Sequence, residues 1–283
     1  MKPPKSPLAN AFLRSLRENG KRPDAAVRLE GDGLRVATYN VHKCVGVDGK
    51  FDPDRVFEVI REVEPDLIAL QEADTRFGER TGLLDLQRLE AETGLVAVPV
   101  HASERAHGWH GNVLLFRDGA VRDIHREQLP GLEPRGALLT EIALNSGLSL
   151  QVVAVHLGLL RWARRQQADH ILNLLGRRED QPTLIMGDMN EWRLGQGSAL
   201  TRFEQAFGAL PPARASFPAR WPVLALDRII ANREDLVVDL AAHDSPLARV
   251  ASDHLPLTAL LNPAALIAGG RAPEGLAAEE PDA

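Results

Sequence analysis

The sequence is poor in cysteine and has no long hydrophobic run. Its 283 residues include one cysteine, Cys44, which excludes an intrachain disulfide framework. No cysteine-based catalytic signature surrounds Cys44, which favours an inert thiol over a nucleophile. No segment approaches the roughly 18 apolar residues of a membrane-spanning helix, and the first residues lack the apolar core of a signal peptide. These absences predict a soluble cytoplasmic protein.

The sequence also lacks an excess of positive charge. Its 33 Lys and Arg residues against 39 Asp and Glu give a net charge of −6. This balance does not support a general polyanion-binding surface, although a local basic groove is compatible with it. Hydrophobic residues make up 44% of the chain, enough for the core of one large domain.

The two ends of the chain differ in composition from the rest. Residues 1–33 mix Pro, Lys, Arg and Gly, and we expect an N-terminal arm whose amphipathic patch frays or docks on its own domain in preference to a membrane. Residues 263–283 are rich in Ala, Gly, Pro and Glu, which predicts a disordered tail. The chemistry is therefore expected in residues 34–262, and peripheral membrane contact and oligomeric state remain open.

Strand-like and helix-like segments alternate between these ends. The patterns predict strands at 34–41 and 66–72, helices at 52–63, 83–93 and 161–178, and a strand leading into "GDMNEW". In the middle, "GNVLLFR", "VRDIHREQL", "GALLTEIAL" and "LSLQVVAVHL" follow at short spacing and predict antiparallel strands; "LDRIIA" and "LPLTALL" complete the set. The order predicts an α/β protein with mixed sheets and helices outside.

Polar residues recur where these apolar strands begin or end. Singly, each has a structural explanation as a turn residue, a surface charge, a core histidine or a helix cap. Together they supply carboxylates, carboxamides and imidazoles that suit one hard divalent cation, its water and a phosphoryl group. The set comprises Asn40, Glu72, His156, Asp188, Asn190, Asp253 and His254.

Six motifs in order carry a resemblance to a known family. "TYNVH", "LQEAD", "VAVHL", "GDMNEW", "LDRI" and "SDHLPL" resemble those of the endonuclease/exonuclease/phosphatase superfamily, which includes DNase I, AP endonucleases, sphingomyelinases and inositol polyphosphate 5-phosphatases. The resemblance covers about residues 34–261, and "FDPDRVFEVI", "EPRGALLTEI" and "SFPARWPVLALDRII" look like a bacterial branch of uncharacterised metal-dependent hydrolases. It implies a DNase I-like four-layer sandwich of two packed mixed β-sheets flanked by helices.

The resemblance implies a Mg²⁺ site, with Mn²⁺ as an alternative ion. Glu72 would be the principal metal carboxylate, and Asn40 would orient the metal or the phosphate beside it. Asp253 would bind the metal or support one of its ligands.

The resemblance also implies catalytic roles. Asp188 would position or deprotonate the attacking water, and Asn190 would hold a phosphate oxygen. Asp227 would fix the tautomer of His254, whose role as base, acid or oxyanion stabiliser stays open. His156 would contact the phosphoryl oxygens or assist the leaving group.

The substrate contacts follow the family pattern less closely. Arg135 in "EPRGALL" is expected to bind phosphate, with His110, Asn112 and Arg165 as further candidates. AP endonucleases commonly carry tyrosine where His156 stands, which disfavours that branch. DNase I has an acidic residue in the region of "GWHGNVLLF", where this sequence offers His110 and Asn112.

All four tryptophans fall near motif residues, and two explanations compete. At least two could rim the site and line a slot for a base, a lipid or an aromatic leaving group; alternatively, all could pack the motif loops from behind. The cluster Arg161, Arg164 and Arg165 opens a helix, where positive charge opposes the helix dipole. A nearby anion is therefore expected, and Glu191 is favoured over a second phosphate.

Three functions compete at this point. The first is a Mg²⁺-dependent phosphoesterase acting on a small or lipid-like substrate, favoured by the net acidity and the tryptophans. The second is a DNA or RNA endonuclease or exonuclease, which would require a continuous basic groove past Asp188. The third is a non-catalytic binding protein, disfavoured because no principal catalytic position is substituted.

Overall fold

The computed structural model describes residues 33–100, 102–103 and 105–267. The predicted N-terminal arm, except residue 33, and the tail beyond residue 267 lie outside the described residues. Residues Pro263–Ile267, assigned above to the tail, form a short helix. The strands are β1 (Leu34–Asn40), β2 (Leu67–Gln71), β3 (Val96–Ala97), β4 (Val113–Phe116), β5 (Ala120–Gln128), β6 (Gly136–Ala143), β7 (Ser149–His156), β8 (Thr183–Asp188), β9 (Asp227–Ala231), β10 (Val237–Ala242) and β11 (Leu257–Leu261).

The helices lie between these strands. They are α1 (Pro53–Val63), α2 (Leu86–Thr93), α3 (Arg161–Leu175), α4 (Ala199–Phe207), α5 (Ala248–Ala251) and α6 (Pro263–Ile267), with a 3-10 turn at His42–Cys44. The α1 helix begins as the sequence predicts, because the Asp52 side chain accepts a hydrogen bond from the Arg55 backbone and Pro53 occupies the first turn. No helix among the described residues is long and apolar enough to cross a membrane.

The strands form two mixed sheets. One has the order β10-β11-β1-β2-β4-β3 and the other β5-β6-β7-β8-β9. Each contains one parallel pair, β1 with β2 and β7 with β8, while the neighbouring pairs are antiparallel. The carboxyl ends of β1, β2, β7 and β8 therefore lie beside the amino ends of β4, β6, β9 and β11, at an edge that we call the carboxyl edge.

Three hydrophobic cores define four layers. The two sheets face each other across a core that includes Val36 and Leu67 from the first sheet and Val152 and Leu184 from the second. Helices α1 and α2 pack on the outer face of the first sheet, and α3 and α4 on that of the second. The predicted four-layer sandwich of mixed sheets with helices outside is confirmed.

The single thiol lies inside one of these cores. Cys44 is fully buried, and burial raises its pKa to about 12. A thiol with that pKa stays protonated at neutral pH and is a poor nucleophile, which supports the inert thiol that the sequence favoured.

Candidate active site

The carboxylate of Asp188 is approached by side chains from both sheets. Asp188 ends β8 and lies opposite His156 of β7 on one side and Asp227 of β9 on the other. From the first sheet, Asn40 Nδ2 donates a hydrogen bond of 3.0 Å to Asp188 Oδ2. His156 Nε2 lies 3.4 Å and His254 Nε2 3.8 Å from the same oxygen. The polar strand ends that the sequence singled out are thus brought to one corner.

The backbone around Asp188 is shaped for this convergence. Gly187 has a φ of +148°, and a Cβ there would lie 1.9 Å from the carbonyl oxygen of Val155, so only glycine allows the two strands to approach. Asn190 (φ +50°) and Glu72 (φ +54°) adopt left-handed conformations that side chains rarely take. The Asn190 backbone N–H donates to Asp188 Oδ1 over 2.8 Å. Backbone strain of this kind clusters at functional sites.

His254 is held by a buried carboxylate. Its Nδ1 lies 2.8 Å from Asp227 Oδ2, and the Ser216 hydroxyl donates to that same oxygen. Burial disfavours a charged imidazole, but Asp227 outweighs it and raises the pKa of His254 to about 10. His254 is therefore an imidazolium at neutral pH, with Nε2 directed towards Asp188.

The other two groups at this corner titrate differently. Burial raises the pKa of Asp188 to about 6, although the positive charge of His254 acts to lower it. Burial, together with the charges of Arg135 and His254, holds the pKa of His156 well below its ordinary value. At neutral pH the corner therefore contains a carboxylate, a neutral imidazole and an imidazolium, a combination that can both accept and donate protons.

Glu72 lies beside this corner and already pairs with a cation. Lys43 Nζ lies 2.8 Å from Glu72 Oε2. Burial opposes ionisation of Glu72, but Lys43 holds its pKa below the ordinary value. Asp253 lies further along the edge, with Oδ1 3.8 Å from His42 Nδ1. No group of three or more His, Cys, Asp or Glu side chains within the described ranges is placed to hold a metal.

This donor set fits Mg²⁺. In proteins this ion is usually held by one or two carboxylates, keeps several waters and takes further oxygens from a substrate phosphate. Glu72 would supply the carboxylate, and the amide oxygen of Asn40, which accepts a hydrogen bond of 3.1 Å from the His42 backbone N–H, would be a further oxygen donor at the same edge.

A small, partly open cleft lies next to Glu72 and His156. Its charged lining contains four cations and two carboxylates, so a locally basic pocket exists on an acidic protein. The lining residues are Lys43, Glu72, Asp74, Arg76, Arg80, His110, Pro134, Arg135 and His156. Sequence reasoning missed Lys43, Asp74, Arg76 and Arg80. Lys43 directly follows the first motif and Asp74 ends the second, so these two could have been found by examining the residues at each strand end.

Two of the predicted substrate contacts line this cleft. Arg135 is buried, and its guanidinium donates to Glu133 Oε2 over 2.8 and 3.1 Å. His110 accompanies it, with Nδ1 2.8 Å from the carbonyl oxygen of Pro134.

The structure places the other two away from the cleft lining. Asn112 is buried and donates from Nδ2 to the carbonyl oxygens of Trp109 and Gly136. Arg165 is exposed on α3. Asn190 remains at the corner, where Nδ2 donates to the carbonyl oxygen of Leu157 over 2.9 Å and keeps a second hydrogen for another acceptor.

The anion expected near the arginine cluster is Glu191. Arg164 donates from Nε and Nη2 to Glu191 Oε2, over 3.3 and 3.0 Å, and both side chains are buried. Arg164 Nη1 also donates to the carbonyl oxygens of Gly158 and Leu159. The pair therefore fixes the connection after β7 to the connection after β8, the two that directly follow His156 and Asp188.

Removing one partner of this pair should destabilise the fold. We expect Glu191→Ala to lower the free energy of unfolding by about 3 kcal/mol or more, because the Arg164 charge stays buried without its partner. Urea denaturation measures the difference. Glu58→Ala removes the partly exposed pairs with Arg61 and Arg88 and should cost less than about 1 kcal/mol. Equal losses in the two variants would contradict the structural role of Glu191.

Three of the four tryptophans are exposed around the carboxyl edge. Trp162 begins α3, Trp192 follows β8, and Trp221 precedes β9, with exposed fractions of 49%, 44% and 78%. Trp109 instead packs against the core between the sheets, and its Nε1 donates to the carbonyl oxygen of Glu127. Of the two explanations, packing from behind describes Trp109, and the other three tryptophans lie on the surface.

Sequence comparisons cover the residues of this corner. The family described as Endonuclease/Exonuclease/phosphatase matches residues 37–254, a range that contains every residue of the corner. The chain is also 30% identical over 254 residues to the uncharacterised protein YbhP of Escherichia coli (strain K12), covering 80% of this chain and 95% of that protein.

Solved structures share the fold. An endonuclease/exonuclease/phosphatase from Bacteroides vulgatus aligns with a TM-score of 0.64 and 19% identity, covering 81% of this chain and 98% of that one. The mannosyl-6-phosphatase Bt3783 of Bacteroides thetaiotaomicron aligns with a TM-score of 0.61 and 16% identity, covering 81% and 99%. A protein from Beutenbergia cavernae aligns with 0.59 and 24%, covering 82% and 72%.

Proposed function

This chain belongs to the endonuclease/exonuclease/phosphatase family of hydrolases, and from that premise we propose that it cleaves a phosphoester with the help of a divalent cation. The observation that carries the proposal is the convergence on Asp188 Oδ2 of Asn40, His156 and His254, the last backed by Asp227. Hydrolysis at phosphorus requires an activated water, groups that neutralise the negative charge on the phosphoryl oxygens, and a stabilised leaving oxygen.

The residues of the corner divide these tasks. Asp188, ionised above its raised pKa of about 6, accepts a proton from the attacking water. His254 carries its proton up to about pH 10. This protonation suits a role as an imidazolium that neutralises the charge on a phosphoryl oxygen, and it does not suit a role as a general base. His156 is neutral and donates a hydrogen bond to the phosphoryl or leaving oxygen, while the second Nδ2 hydrogen of Asn190 binds another oxygen.

Glu72 and Asn40 would hold the cation, Mg²⁺ or Mn²⁺. When bound, the ion would supply positive charge to the phosphoryl oxygens. Lys43, which pairs with Glu72, would exchange that contact for the substrate phosphate. Arg135 reaches the same cleft, and the fork of its guanidinium can bind two phosphate oxygens.

The substrate that fits best is a small or lipid-like phosphoester. Three of the four cations in the cleft already pair with carboxylates: Lys43 with Glu72, Arg80 with Asp74, and Arg135 with Glu133. Such a pocket suits one phosphoryl group better than the row of phosphates along a nucleic acid strand, which needs a continuous basic surface.

A substrate panel tests the proposal. Purified protein with Mg²⁺ or Mn²⁺ is assayed on generic phosphomonoesters and phosphodiesters, plasmid, RNA, phospholipids and inositol phosphates, with His254→Ala as the blank. We expect turnover of a small or lipid-like ester that the blank lacks. Plasmid nicking that disappears in Asp188→Ala would replace this proposal with a nuclease. Absence of cation-dependent turnover on the whole panel would leave a binding protein.

The cation dependence gives a sharper prediction for Glu72. We expect Glu72→Gln to raise the Mg²⁺ concentration needed for half-maximal activity by about tenfold or more, because a charged oxygen ligand becomes a neutral amide. A titration of activity against free Mg²⁺, after removal of bound metal with EDTA, measures the change. Glu58→Gln on α1 is the matched control. Activity that survives EDTA would contradict the proposed site.

A further inference from the structure

In the part of the chain that the structure describes, the large exposed hydrophobic side chains lie on one side of the fold only. Every large hydrophobic side chain that is exposed there lies in a connection, or in the helix next to it, at the carboxyl edge. The most exposed are Leu132, Trp221, Phe77, Val223 and Leu159, with Leu132 at 81%. Connections at the opposite edge, among them 117–119, 144–148, 176–182 and 232–236, carry none. Exposed apolar side chains that are confined to one edge in this way indicate a binding surface.

The exposed tryptophans are each next to an arginine in the chain. They occur as Arg161-Trp162, Trp192-Arg193 and Arg220-Trp221. The Arg193 guanidinium lies 5.2 Å from the centre of the Trp192 ring. Tryptophan beside arginine is typical of side chains at a membrane interface, where the ring enters the acyl boundary and the cation stays among the headgroups.

The charge of these three connections is strongly positive. Residues 157–165, 189–197 and 216–224, which we call the Trp loops, contain five arginines and one carboxylate. The carboxylate is Glu191, which is buried and paired with Arg164. The protein as a whole has a net charge of −6, so the Trp loops are positively charged segments of a negatively charged protein. Exposed apolar residues among cations complement an anionic lipid surface.

We propose that the Trp loops dock the carboxyl edge onto an anionic lipid bilayer and thereby present the Asp188 corner to a phosphoester in that surface. This inference rests on the proposed function only for the identity of the substrate, because docking itself needs no turnover. The corner is suitably placed. Trp192 follows Asn190 by two residues, and the backbone N–H of Ala219, two residues before Trp221, donates to the carbonyl oxygen of Asp253 over 2.7 Å.

Aliphatic residues decide between a bilayer and a nucleic acid strand. Leu159, Leu194 and Val223 are exposed in the Trp loops, at 64%, 58% and 72%. Bases stack on aromatic rings and gain little from leucine or valine, whereas acyl chains accept both.

Vesicle binding tests the proposal with the full chain. The protein is sedimented with vesicles of phosphatidylcholine alone and of phosphatidylcholine mixed with phosphatidylglycerol. We expect partition onto the mixed vesicles that weakens as salt is raised, because exposed charges are screened. Trp221→Ser should reduce this partition about tenfold, since an exposed ring loses its apolar contact with lipid. Its thermal unfolding should match that of the wild type.

Matched arginines separate the Trp loops from general charge. Arg220→Gln should weaken partition about fivefold, and Arg177→Gln, which removes the same charge near the opposite edge, should leave it unchanged. Asp188→Asn should bind vesicles as the wild type does, so that a failed proposal for catalysis does not imply failed docking. Equal binding of Trp221→Ser and the wild type would overturn the inference. So would binding to single-stranded oligonucleotides in place of vesicles, or to neither.

Discussion

Replacing Asp188 with asparagine should lower kcat/KM by about 10³-fold, because the group that accepts the proton of the attacking water is removed. The change is nearly isosteric, and it deletes the acceptor oxygen that Asn40, His156 and His254 approach. Steady-state kinetics on the fastest substrate of the panel give the measurement. No other single change at the corner is expected to have a larger effect.

A folding control is needed because Asp188 is buried. Its two oxygens accept hydrogen bonds from Asn40 Nδ2 and the Asn190 backbone, so asparagine must place its own amide against a donor. Thermal unfolding of the variant shows whether this unfavourable contact destabilises the whole fold. A folded variant that keeps more than a tenth of the wild-type activity would remove Asp188 from the reaction.

The Asp227→Asn variant should lose about 10²-fold in activity and change its pH profile. In the wild type, activity should fall as pH drops through about 6, where Asp188 gains a proton, and again as pH rises through about 10, where His254 loses one. Asp227 raises the pKa of His254, so its removal lets the imidazolium deprotonate at lower pH. The alkaline limb should therefore move down by more than one pH unit, while the acid limb stays above pH 5.

The shift distinguishes a chemical role of Asp227 from a structural one. A variant that only loosened the fold would lose activity at every pH without moving the limb. The exposed carboxylate of Asp54 provides the control, and Asp54→Asn should leave both limbs in place. An alkaline limb near pH 10 in Asp227→Asn would contradict the assignment of His254 as a charged donor.

Several parts of the fold could be predicted because the sequence pattern is strong there. The strand that ends at Asp188 is fully buried, and apolar runs of that kind are bounded clearly by turn residues. Convergence of the polar strand ends was also predictable, because parallel strands bring their carboxyl ends to one edge. The ion pair of Glu191 with the arginine cluster followed from the helix dipole, which disfavours cations at a helix start.

Other parts depend on tertiary structure. Strand β10 was missed because only Leu240 along it is buried and its register shifts at a bulge after Val238, so alternation is absent. Helix α4 was missed because its nine residues are too few to show a clear helical repeat of apolar positions, although Ser198 caps it. The cleft cations Arg76 and Arg80 lie in a connection without regular structure, and nothing in their spacing shows that they approach Glu72.

The distribution of hydrophobic residues on the surface could not be predicted at all. Sequence placed the tryptophans near the motifs but left open whether they face solvent. Only the packing of Trp109 into the core, against the exposure of Trp162, Trp192 and Trp221, separates the two cases.

The central claim is that water held at the Asp188 corner attacks phosphorus. Hydrolysis of the fastest panel substrate in ¹⁸O-labelled water, with Mg²⁺, tests it most directly, because the label records which bond breaks. The account predicts one ¹⁸O atom in the phosphate-containing product and none in the alcohol, with no product formed by Asp188→Asn over the same period. Label in the alcohol, or equal product from the variant, would contradict it.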